Sequence, residues 1–126
     1  MLTTLLHCAS FPASVEVGWI YATTVVASTA ASVVWHGLGE PQGVISAADH
    51  GLAAVWGLLD AYYGWRLGVL APVMVVNAAV IALHSAVERG VVPYRTGHSA
   101  WHVVSAGKAW WVAGVLAAAG PRVKMA

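Results

Sequence analysis

Apolar residues dominate four stretches of the chain, at about 15–35, 46–65, 67–87 and 98–119. Each approaches the roughly 20 residues that a bilayer-spanning helix requires. The polar punctuation between them is brief: "GLGEPQGVI", "RLG" and "ERGVVPYRTG". Connections this short force successive helices to run antiparallel. Gly, Ala and Ser recur within the stretches and let backbones approach closely in lipid. The pattern predicts an all-α membrane protein, a single domain over residues 1–126 built as a bundle of four transmembrane helices. Residues 1–13 form a short N-terminal segment, and the part before Pro12 carries no Lys or Arg. That part is also too short to span, so it reads as neither a signal peptide nor a full helix.

Composition strengthens the membrane reading. Hydrophobic residues make up 60% of the 126 and charged residues only 9%, with a mean hydropathy of +0.74. Four of the seven Trp residues (Trp19, Trp35, Trp65, Trp101) stand near the ends of apolar runs, as interfacial anchors do. A formal net charge of +1 gives no reason to expect a nucleic-acid partner. The single cysteine, Cys8, excludes an intrachain disulfide.

Antiparallel alternation then sorts the titratable groups. His36 closes the first helix, and Asp49 and His50 open the second. His84 and Glu88 close the third, and His98 and His102 open the fourth. All of them fall at one end of the bundle, which histidines scattered for packing would not do. Polar groups in a lipid-soluble chain are costly unless they bind something. Side chains four residues apart share a helical face, so His98 and His102 can present two imidazoles to one ion and His36 can supply a third. Three histidines with one open position describe a catalytic zinc site, where the metal lowers the pKa of water toward about 7. Asp49 stands where it could handle a proton or orient a histidine, and Ser32 lies one turn below His36 on the same face. Blander roles also fit. An HxxxH pair serves interfacial packing, Ser28 and Ser32 suit a small-residue seam, and Asp49 with Ser46 suits a helix N-terminus. His50 and His84 have no required role. Deeper in the bundle, Asp60 and Lys108 follow Asp49 and His98 by eleven and ten residues, about 15 Å along the axis. They are expected to pair there, unless Lys108 snorkels and Asp60 is protonated.

Four segments carry a family resemblance: "HSAWH" followed by "VVSAG", "AVERG" through Tyr94, "YATTVVASTAASVVWH" and "ADHGLAAVWGLL". They resemble the CREST superfamily of membrane hydrolases and receptors. It includes the alkaline ceramidases, the adiponectin and progestin receptors with their haemolysin III relatives, and the GPI-remodelling lipid hydrolases. The likeness is strongest to the transmembrane-protein-8 branch, whose last helix carries a similar HSxWH. The resemblance implies zinc bound by His36, His98 and His102, with Asp49 and Ser32 as catalytic partners. It also implies hydrolysis of a lipid amide or ester, with a membrane lipid as the partner and self-association left open. The family fold has seven helices, so four would be a reduced version. One is missing before the first helix and two between the second and third, a loss that preserves alternation. Two other functions compete. One is a receptor-like or accessory membrane module with a structural zinc; the other is a haem-binding electron carrier, disfavoured because ligands one turn apart converge on one side of an ion.

Overall fold

The computed structural model describes residues 10–123, which are all-helical. Cys8 lies outside them. Five helices follow one another: α1 (Phe11–Val17), α2 (Trp19–Gly37), α3 (Val44–Arg66), α4 (Leu70–Glu88) and α5 (Tyr94–Val123). The expectation of four is corrected at the amino end. The apolar run at 15–35 is broken at Gly18, whose φ of 153° interrupts the helical path. The residues before the break wind into a separate seven-residue helix that begins with Pro12 in its first turn. Proline suits that position, because its fixed φ is helical and its missing N–H has no helical partner there.

Sequential helices pack as neighbours, and α1 closes the ring by contacting both α2 and α5. The apolar core joins the beginning of α2 (Tyr21, Val25) to the end of α3 (Trp56), the beginning of α4 (Val73) and the end of α5 (Ala109, Val112, Ala113, Leu116). This is the alternation that short connections dictate. Among the described residues, no Cα of α2 comes within 8 Å of a Cα of α5. At the core end α1 fills the space between them, and at the opposite end side chains bridge it.

Polar and apolar residues are distributed against the habit of a water-soluble bundle. Asp60 is fully buried and Lys108, Asn77, His102, Ser28 and Ser32 are buried with it. Leu58 and Val75 are about 70% exposed, and Ile20, Ile81 and Trp110 are also outside. By length and apolarity, one described helix, Leu70–Glu88, qualifies to cross a membrane. The buried Ser, His, Asp and Lys residues of α2, α3 and α5 dilute those helices' hydropathy.

The expected pair between Asp60 and Lys108 is present. Lys108 Nζ donates to Asp60 Oδ2 at 2.8 Å, and the Tyr21 hydroxyl donates to Oδ1 at 2.5 Å. Trp56 Nε1 donates to the Tyr21 oxygen at 3.2 Å, and its ring lies 4.9 Å from the lysine ammonium. Every charge in this network thus faces a partner, the condition under which buried ions are tolerated.

Candidate metal centre

His36 occupies the last turn of α2, while His98 and His102 occupy successive turns near the start of α5. Their Nε2 atoms form a triangle with edges of 2.9 Å (His36–His102), 3.2 Å (His98–His102) and 3.3 Å (His36–His98). The three rings stand edge to face, with centroids 4.8 Å apart. These three residues can therefore hold one metal ion. Tetrahedral zinc bound at about 2.0–2.1 Å spaces its nitrogens about 3.3–3.4 Å apart, close to this triangle.

The protonation of His36 follows from its other nitrogen. Nδ1 lies 2.9 Å from Glu40 Oε1. An ionised carboxylate only accepts hydrogen bonds, so Nδ1 carries a proton, and the neutral tautomer of that kind has its Nε2 lone pair facing the centre of the triangle. The second Glu40 oxygen accepts from the Tyr94 hydroxyl at 2.5 Å. Hydrogen bonds from Tyr94 and then His36 hold Glu40 below the usual carboxylate range, against its partial burial. Burial, and then the same carboxylate, push the Tyr94 hydroxyl up. Tyr94 therefore stays a donor, and its ring also stacks on His98 with centroids 4.9 Å apart. A carboxylate fixing the tautomer of a ligating histidine is a recurrent feature of metal sites.

Glu40 reaches His36 through an unusual backbone. The last turn of α2 closes with Gly39 N–H to His36 C=O and Glu40 N–H to Trp35 C=O. Gly39 has a φ of 80°, the left-handed conformation with which glycine ends helices. Glu40 itself has a φ of 61°, which costs a non-glycine residue about 1–2 kcal/mol. Sequence reading took "GLGEP" only as a helix breaker and missed Glu40. Helical spacing carries no signal for it, because Glu40 lies beyond the end of α2 and reaches back through the left-handed Gly39–Glu40 turn.

Asp49 is buried in the second turn of α3, where its carboxylate lies near Ser32 and interacts electrostatically with His50, His36 and His98. It does not cap the helix, because the N-cap is Gly43. The structure thus brings the three histidines, Asp49 and Ser32 to one end of the bundle. His50 stands beside Asp49, with Nδ1 4.0 Å from Asp49 Oδ2 and 2.7 Å from the Ser46 carbonyl, and the residue is exposed. His84 lies one ring further out, 5.1 Å from the Trp101 ring, which in turn packs on His98 and His102. His98 Nδ1 and Trp101 Nε1 are buried with no hydrogen-bond partner among the described residues.

No family model, curated protein or solved structure matches the chain in comparisons with known proteins.

Proposed function

We propose that the protein is an integral membrane, zinc-dependent hydrolase of lipid amides or esters, with all four long helices in the bilayer. Support for the membrane comes from the reversed distribution of residues. Exposed leucine, isoleucine and valine side chains surround a buried Asp–Lys pair. Apolar surface of this extent costs a water-soluble protein heavily, whereas lipid accepts it and drives charges inward to pair. The choice of zinc rests on the all-nitrogen donor set and its near-tetrahedral spacing. The lipid amide or ester class rests on the likeness of "SVVWH" and "HSAWH" to CREST hydrolases.

When bound, zinc would polarise a carbonyl and lower the pKa of a water molecule. The chain's own groups have distinct parts to play. Asp49 can receive and return a proton at its carboxylate oxygen, and Ser32 stands near that carboxylate, where its hydroxyl can steady it. Glu40 and Tyr94 hold His36 with its lone pair aimed inward. One observation carries the proposal: the Nε2 atoms of His36, His98 and His102 converge within 3.3 Å of one another.

Metal analysis and lipid hydrolysis by the purified chain in detergent test it together. About one zinc per chain is expected. His98→Ala should lose it, and Asp49→Asn should keep it while hydrolysis falls about 10²–10⁴-fold. Full zinc in the His98→Ala protein would refute the site. Unchanged hydrolysis in Asp49→Asn would refute the catalytic assignment, and full zinc without hydrolysis of any lipid would point to a structural tie in an accessory module.

A further inference from the structure

Beside the histidine triangle, at the same end of the bundle, a cleft of about 660 Å³ opens. That volume falls within the usual range for small-molecule sites. Trp35 from α2, Glu40 from the α2–α3 loop, Ser46 and His50 from α3, Glu88 from the end of α4 and Tyr94 from the start of α5 line it. Glu40 and Tyr94 are shared with the triad's hydrogen-bonded support, so cleft and triad meet along one wall.

The lining has a definite electrostatic preference. It contains two carboxylates and two large aromatic rings, with no Lys or Arg among its described residues. Glu40 sits in the wall of the cleft, with its carboxylate fixed between His36 Nδ1 at 2.9 Å and the Tyr94 hydroxyl at 2.5 Å. Glu88, at the other side of the opening, acts electrostatically on both Tyr94 and His98. A phosphate or carboxylate in this cleft would face two negative groups. An ammonium would meet both carboxylates beside the aromatic rings of Trp35 and Tyr94, the kind of lining that suits quaternary amines.

We propose that this cleft binds a positively charged head group, of the trimethylammonium or primary ammonium kind, on the lipid that the triad cleaves. The proposal rests on the hydrolase reading for the identity of the lipid, but the binding preference does not. The layout suits an amphiphile. The cleft is built from helix ends and a connecting loop, where a polar head would lie. The histidines stand within the first turns below it, at the depth of the adjoining bond. The tail would continue along the apolar exterior.

Choline and its uncharged isostere 3,3-dimethylbutan-1-ol differ only by nitrogen for carbon, and calorimetric titration of the full chain in neutral detergent compares them. Choline is expected to bind about fivefold tighter or more. Glu88→Gln should remove most of that difference while metal content stays unchanged. Glu88 is an exposed helix-terminal residue, so the variant is expected to fold. Equal affinity for the two probes, or a preference undiminished by Glu88→Gln, would overturn the proposal. His98→Ala should leave the preference for choline intact. The same preference in an unsubstituted, metal-loaded protein that hydrolyses no lipid would count against the hydrolase reading alone.

Discussion

Glu40 is held between two donors, the His36 imidazole at 2.9 Å and the Tyr94 hydroxyl at 2.5 Å, in a backbone conformation that glycine would adopt more readily. Side-chain bonds and backbone strain thus oppose each other at one residue, a combination that concentrates at functional sites. Replacing Glu40 with Gly separates the two. The apo protein should be no less stable, gaining up to about 1 kcal/mol from relief of the left-handed conformation. Zinc affinity should fall about 10–100-fold as His36 loses its orienting partner. Competition against a chromophoric chelator measures the second quantity, and unchanged affinity would remove Glu40 from the site. The histidines themselves were legible in the sequence, because two lie one helical turn apart and alternation brings the third to the same end. Glu40 was not, because its position depends on turn geometry rather than on helical periodicity.

Among the elements, α3 and α4 follow the apolar pattern to within three residues, since glycine-containing turns bound them, whereas α5 runs Tyr94–Val123 and takes in the Tyr94–Gly97 stretch expected to be connection. The α1–α2 break escaped that reading because apolar residues continue on both sides of Gly18, and an isolated glycine is tolerated within helices. The entry of the chain into α5 depends on another small residue. A Cβ placed on Gly97 would lie 2.7 Å from Val87 Cγ2 and 2.9 Å from Val92 Cγ1. Neither valine can swing away as a long flexible side chain could. Gly97→Ala should therefore push the first turn of α5 away from α4 at a cost of about 1–3 kcal/mol. His98 is the next residue, so the same substitution should lower zinc occupancy. Thermal unfolding and metal analysis of one preparation check both effects, and a fully loaded variant of normal stability would contradict this account of the packing.

Across the whole molecule, the Tyr21–Asp60–Lys108 network joins α2, α3 and α5 within the buried interior. The depth of Asp60 and Lys108 could be counted from the common end of their helices, so their pairing was readable. The parts of Tyr21 and Trp56 were not, because aromatic residues in apolar helices serve packing equally well. Lys108→Met should destabilise the bundle by about 3–5 kcal/mol, because it leaves a buried carboxylate without its cation. Adding Asp60→Asn should recover more than half of that loss, since the amide oxygen still accepts from Tyr21. Melting curves of the single and double variants in detergent decide the matter; a double variant no better than the single would refute the pairing as the cause. Removing metal should also be felt globally, because the triad spans helices whose backbones do not meet. Zinc at 100 times its Kd is expected to add about 2.7 kcal/mol over the chelated form, read as a reversible rise in melting temperature.

His36 precedes its two companions by 62 and 66 residues. During synthesis, the chain emerges with one of the three imidazoles and must extend by those 62 and 66 residues before the other two exist. Capture of an ion by all three would have to follow the docking of α5 beside α2, so metal uptake is expected to report that step of assembly.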